Sequence, residues 1–288
     1  MKLNIKLSKK TARILYWSII AVLALTIIVC AAMIVTKVVT DAQNEDEWND
    51  IRGMVQEAPT TPTLKLDIDE PSEPLDVDSQ PGETQPTEPT TPHNIDDTVL
   101  FKYQALYEMN RDMVGWIKIE GTAIDYPVVQ TPTKPNFYLR RNFYKETATC
   151  GTIYVREACN VNMPSDNVTV YGHNMRNGTM FADLHKFKNK SFWEEHRYVR
   201  FDTLHEERTY EIFSVFRTTA DLTKGFTYHI YDTFATEAAF NEFVSTCKNI
   251  DFYETGVKPA FGDKLLTLST CDKSIEEGRL VVVCRRIS

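Results

Sequence analysis

The sequence predicts a mainly β domain with helical insertions, carried behind a membrane helix and an extended spacer. Three observations lead there. Eight short runs rich in β-branched and aromatic residues follow residue 97, an uncharged 23-residue run occupies 14–36, and eight of the thirteen prolines lie within 58–94. Charge divides the chain in the same way. Residues 1–40 carry six basic and no acidic side chains, 41–97 carry two basic and sixteen acidic, and the remainder carries 24 of each, which restores the net −8. A near-neutral main domain has no electrostatic footprint for nucleic acid.

The run Ile14–Thr36 reads as a membrane-spanning helix, because 23 residues at about 1.5 Å each cross a hydrocarbon layer of about 30 Å. It is longer than the apolar part of a signal peptide, and no small-x-small cleavage site follows it. Lys2, Lys6, Lys9, Lys10 and Arg13 precede it and only Lys37 follows closely, so the basic tail 1–13 is expected in the cytoplasm and everything past the span outside. Residues 37–57 form a juxtamembrane segment with a short helix expected over 41–57. Residues 58–96, acidic and rich in Pro and Thr, cannot bury enough apolar surface to offset their ordering entropy. They are expected to act as a semi-rigid spacer.

The domain 97–288 opens with a helix from a cap at Asp97 to about Arg111, with Leu100, Tyr103, Leu106 and Tyr107 at helical spacing. The period then changes to WIKIEG, AIDYPVV, GTIYV, NVTVYG, YVRFD, TYEIFSVFRTT, KLLTLST and RLVVVCRR, separated by Gly, Pro, Asn and Asp, which suits a barrel or a sandwich. Helical inserts are expected at about Gly178–His196, with Met180, Phe181, Leu184 and Phe187 on one face, and at about Thr233–Lys248, with Phe234, Ala238, Phe240 and Phe243.

Among six cysteines, Cys271 stands apart, because it ends the run KLLTLST and opens a polar loop. Strand alternation puts it on the face of Ser269 and Thr267. An antiparallel return through the seven-residue loop 272–278 brings Arg279 beside it, so a thiol and a permanently charged five-donor guanidinium share one mouth. His173 follows the strand NVTVY, with Gly172 expected to allow a tight turn. An imidazole near a thiol can generate the thiolate and later protonate an amine. His185, His196 and His205 sit in charged contexts and carry no expected role. Asp272, directly after Cys271, is open to two readings, a group that helps orient His173 or, in preference, a solvent-facing loop acid. Pairing among Cys150, Cys159, Cys247 and Cys284 is left open, and no Cys/His spacing suits zinc.

TLSTC followed by Arg279, together with YGH ending at His173, resembles the sortases, the membrane-anchored cysteine transpeptidases of Gram-positive bacteria. LYEMNRDMVGWIKIEGTAIDYPVVQ, NFYLRRNFYKETATCGTIYV and YGHNMRNGTMFADLHKF are most like class B members. The resemblance covers about residue 97 to 288 and implies an eight-stranded β-barrel with an N-terminal helix and helical inserts. It implies a catalytic set of His173, Cys271 and Arg279, sorting-signal-bearing surface proteins as donors, a peptidoglycan-precursor amine as acceptor, and no metal or organic cofactor. Ser269, Thr270 and Leu139 become candidate contacts to the sorting motif. Three other readings remain open in the sequence: a thiol hydrolase using the same nucleophile, a pilus-type polymerising sortase, and a non-enzymatic module on a stalk.

Overall fold

The computed structural model describes residues 9–56, 99–162, 165–221 and 223–288. The spacer 58–96 and the expected cap Asp97 lie outside the described residues. The chain separates into two units, Met1–Ile51 and Arg52–Ser288.

In place of a span followed by a separate short helix, the first unit is built on one uninterrupted helix, α1 (Lys9–Gln56, 48 residues). The sequence holds no proline before residue 59 and no glycine before residue 53, so nothing breaks the helix after the apolar run. Thr36 and Thr40 bond back to the carbonyls of Ala32 and Thr36, and Lys37 pairs with Asp41 one turn on at 3.2 Å. The apolar part of α1 is long enough to cross a membrane.

Past the end of α1 the second unit continues with α2 (Phe101–Met109), where Leu100 occupies the cap position without a side-chain bond and Tyr103 and Leu106 are buried. Eight strands follow: β1 (Met113–Lys118), β2 (Asp125–Val129), β3 (Ile153–Val155), β4 (Asn167–Tyr171), β5 (Tyr198–Thr203), β6 (Thr209–Thr219), β7 (Leu265–Cys271) and β8 (Gly278–Arg286). They close into one barrel in the order β1-β2-β3-β4-β7-β8-β6-β5. β2–β3 and β4–β7 pair in parallel and the other neighbours antiparallel. Closure leaves no exposed sheet edge among these strands.

The insert expected over 178–196 is two shorter pieces, a 3-10 helix at Ala182–Lys188 and α3 (Lys190–Glu195). Met180 has φ 59 and Gly178 has φ 86, so the chain there turns instead of coiling. Asn189 accepts from the Ser191 backbone N–H and starts α3 afresh. Met180, Phe181, Leu184 and Phe187 are all fully buried, as their spacing requires.

α4 (Glu237–Asn249) starts later than its sequence suggests, because the Thr236 side chain caps it by accepting from Ala239 N at 3.2 Å. Its buried face is Phe240, Phe243, Val244 and Cys247, whereas Ala238 is exposed. Phe234 packs on Phe240 and Phe243 from just before the helix, with ring centroids 5.2 and 5.3 Å away. This aromatic group rests on Leu265 of β7 and Val281 and Val283 of β8. One face of the β7–β8 ribbon is thereby covered along its lower half, while its upper end carries Ser269, Cys271 and Arg279.

Candidate active site

Two parallel pairings decide where chemistry can collect. β4 runs beside β7 in the same direction, with Tyr171 opposite Ser269, so the ends of both strands reach one rim. The β4 exit leads within two residues to His173. β7 ends at Cys271, and antiparallel β8 returns with Arg279 directly opposite it. Directly opposed residues in an antiparallel pair project to the same face with Cβ atoms about 4.5–5.5 Å apart, so thiol and guanidinium share a wall.

The return loop holds this register. Asp272 N–H donates to the Gly278 carbonyl at 2.8 Å, and a Cβ on Gly278 would lie 2.1 Å from the Asp272 carbonyl oxygen. Gly278 is therefore required by close approach. Asp272 is not the solvent-facing acid its position suggests. It is buried, pairs with Lys188 Nζ at 2.8 Å and accepts from both the backbone and the hydroxyl of Ser274. Burial alone would raise its carboxyl, but these donors outweigh it and bring it down to about 2.

Gly172 also serves by proximity and not by a left-handed turn, since a Cβ there would meet the Phe181 ring at 2.6 Å. Phe181 N–H bonds back to the His173 carbonyl at 2.9 Å and Gly172 N–H to the Ser269 carbonyl at 3.2 Å, tying the His173 loop to both neighbours. The His173 ring reaches the 3-10 helix Phe137–Arg140, where Nε2 lies 2.7 Å from the Leu139 carbonyl oxygen. Arg279 Nη1 donates to the carbonyls of Glu277 and Gly278 at 3.2 and 3.0 Å, which fixes one edge of the fork.

His173, Cys271, Arg279, Ser269, Thr270 and Leu139 all line one cleft of about 590 Å³. Ser269 is buried, and its hydroxyl shares a 2.6 Å bond with Tyr228 Oη, so it supports the wall. Thr270 is buried with its side chain on the opposite face of the strand. Leu139 is 38% exposed and contributes both its side chain and the carbonyl that holds His173.

The cleft also contains residues that strand patterns did not single out: Tyr154, Tyr171, Tyr228, His229, Arg156 and Asn136. Tyr154 and Tyr171 face each other at 5.4 Å, and Tyr154 Oη donates to Asn136 Oδ1 at 3.0 Å. Burial pushes the Tyr154 phenol up to about 12 and raises Tyr171 and Tyr228 as well, so all three are neutral donors at neutral pH. Burial, then the Arg156 guanidinium, holds His229 below the usual imidazole range. The available signal was positional: Tyr171 ends β4 two residues before His173, and Tyr154 is its partner across the β3–β4 pair.

Cys159, Cys247 and Cys284 do not line this cleft. They are unbridged and buried, and burial raises each of them, which suits inert core groups.

The family profile described as a sortase domain matches residues 117–287. Sortase B of Listeria monocytogenes is 36% identical over 192 residues, which cover 66% of this chain and 75% of that protein. The structure of sortase B from Clostridium perfringens superposes with TM-score 0.59 at 37% identity, covering 64% of this chain and 99% of that one. Sortase B of Bacillus anthracis superposes with TM-score 0.67 at 27% identity, covering 87% of this chain and 99% of that one.

Proposed function

The chain belongs to the sortase family of cysteine transpeptidases and is most similar to its class B members, and from that premise we propose that Cys271, His173 and Arg279 together transfer a cell-wall sorting signal to an amine. The observation that carries this reading is the register pair Cys271–Arg279 on a rim that also bears His173.

On this reading the Cys271 thiolate attacks the carbonyl carbon of the sorting-motif threonine, forming a C–S bond as the carbonyl electrons move to oxygen. The Arg279 fork has donors left over after its two backbone bonds and stabilises that oxyanion. The tetrahedral species collapses by breaking the C–N bond, and His173 delivers a proton to the departing amine. Leu139 holds the Nε2 edge of the ring, so Nδ1 is the nitrogen that exchanges this proton. An amino group of a peptidoglycan precursor then attacks the thioester. His173 takes its proton, the C–S bond breaks, and the thiolate is regenerated. The tyrosine-lined wall supplies apolar surface and neutral donors for the peptide.

The basic tail 1–13 and the apolar run 14–36 support a cytoplasmic N-terminus and a domain 97–288 held outside the membrane. The segment 58–96 then acts as the stalk.

The test is intact-mass spectrometry of the detergent-solubilised full chain with a panel of sorting-signal peptides, with and without an amine acceptor. A thioacyl adduct on Cys271 that converts to an amine-linked product is the expected result. Release of free acid with no amine-linked product for any acceptor would replace transfer by hydrolysis.

A further inference from the structure

Beyond the three residues above, one cluster touches the nucleophile's own backbone. Asn174 Nδ2 lies 3.0 Å from the Cys271 carbonyl oxygen and 2.9 Å from His185 Nε2, and His185 Nε2 lies 3.1 Å from the same carbonyl oxygen. Three polar atoms thus meet in one triangle, and two proton arrangements fit it, each satisfying two of its three edges. A carboxamide nitrogen has two N–H donors, so Asn174 can give one to Cys271 O and the other to His185 Nε2. His185 must then present a lone pair at Nε2, with its proton on Nδ1. That leaves two acceptors, Nε2 and Cys271 O, 3.1 Å apart, whereas in the other arrangement Nε2–H donates to Cys271 O beside Asn174 and two donors stand 2.9 Å apart.

We propose that Asn174 is a positioning residue that fastens the Cys271 carbonyl to the loop bearing His173, that neutral His185 steadies Asn174 by accepting its second N–H, and that protonating His185 removes this acceptor and loosens the fastening. Asn174 directly follows His173, and the loop is closed by the bridge between Asn174 and Met180. The 3-10 helix Ala182–Lys188 carries His185 to Asn174 and Lys188 to Asp272, so this helix braces Asn174 and holds the residue after Cys271. The distance between nucleophile and imidazole is then set through main-chain atoms and does not depend on a direct bond between the two side chains.

The surroundings keep His185 neutral. Burial is the largest influence and holds its imidazole below the usual range, Lys188 adds to this, and Asp272 and the Cys271 carbonyl oppose it. The charged and titratable groups around the ring are Lys186, Lys188 and Lys190 from the helical insert, Tyr253 from the segment after α4, and Asp272 from the β7–β8 loop. Asp272 is already paired with Lys188.

The proposal rests on the transpeptidase reading for its kinetic consequences, but its geometry can be tested apart from turnover. In the full chain in detergent, long-range nitrogen–proton spectra of labelled histidine should show His185 as the Nδ1–H tautomer at neutral pH. An Nε2–H ring there overturns the clamp whether or not the enzyme turns over. Asn174→Ala should lower the rate of thioacyl formation about ten-fold or more with KM nearly unchanged. His185→Phe, which lacks an acceptor, should do the same. His185→Gln offers an acceptor that cannot be protonated. It should recover most of the rate at neutral pH and flatten the acid limb of the pH profile. An unchanged rate in Asn174→Ala, or an acid limb identical in His185→Gln and the parent, overturns the proposal. An Nδ1–H ring with no adduct on any peptide supports the clamp and rejects the transpeptidase reading instead.

Discussion

His173 Nε2 is held 2.7 Å from the main-chain oxygen of Leu139. A carbonyl can only accept, so the ring donates from Nε2, and its other nitrogen is left for chemistry at the cleft. Because the 3-10 helix Phe137–Arg140 presents that carbonyl, orientation of the imidazole depends on a segment more than thirty residues earlier in the chain.

His173→Gln keeps a donor for Leu139 but has no titrating nitrogen. Transfer should fall by about 10²–10⁴, the usual value of a general acid–base group. Thermal unfolding should stay close to that of the parent. Equal activity in a steady-state transfer assay would remove His173 from the mechanism.

Cys271→Ala should abolish adduct formation and turnover while the circular dichroism spectrum and melting temperature are retained, since the thiol sits at a strand end and not in the core. Residual amine transfer would reassign the nucleophile.

Arg279→Lys keeps the charge but loses the fork that bonds Glu277 and Gly278 while facing the cleft. We expect kcat/KM to drop about a hundred-fold with little change in Tm. A matched loss of stability would mark the guanidinium as structural.

Asp272→Asn should loosen the nucleophile loop. The folded-state carboxyl is depressed to about 2, below its ordinary 3.8, so its stabilising effect is present above the ordinary value and is lost as pH falls through about 2. Parent and variant should differ by about 1–2 kcal/mol at neutral pH, after allowance for the partly exposed Lys188, and converge in strong acid. A pH-independent difference in urea midpoints would refute this linkage.

Asp251 should behave in the opposite sense. Its carboxyl accepts from Ser214 and from Val215 N–H, yet burial raises it to about 6. Its stabilising effect is full below about 3.8 and declines as pH rises through about 6. Asp251→Asn retains the accepting oxygen and cannot ionise, so it should gain stability relative to the parent between pH 4 and pH 7. Denaturation at these two pH values decides the sign.

The strands were legible because β-branched and aromatic runs between turn residues say the same thing at every level, and all eight occur where those runs lie. The barrel rather than a sandwich was implied only by resemblance, since closure depends on which strands pair across long gaps. Cys271 and Arg279 could be juxtaposed from one short loop. The roles of Asp272 and His185 could not be, because they rest on contacts between the β7 end and the 3-10 helix Ala182–Lys188, 84 and 86 residues apart in the chain. The 178–196 insert was read as one helix from its apolar spacing, which does not report a left-handed residue at Met180 or a fresh cap at Asn189. Tyr154 and Tyr171 looked like ordinary strand residues, since a pattern of twos does not reveal which strand ends meet at a cleft.

The pairing of β8 between β6 and β7 has a consequence for biosynthesis. β8 comes last of the eight strands in the chain, yet it supplies Arg279 and joins the two halves of the barrel. A nascent chain that has presented its thiol but not yet β8 has neither the guanidinium nor a closed wall behind the nucleophile. On the proposed reading reactivity waits for β8, and a chain that stops before Arg279 keeps its cysteine but lacks both the guanidinium and the strand behind it.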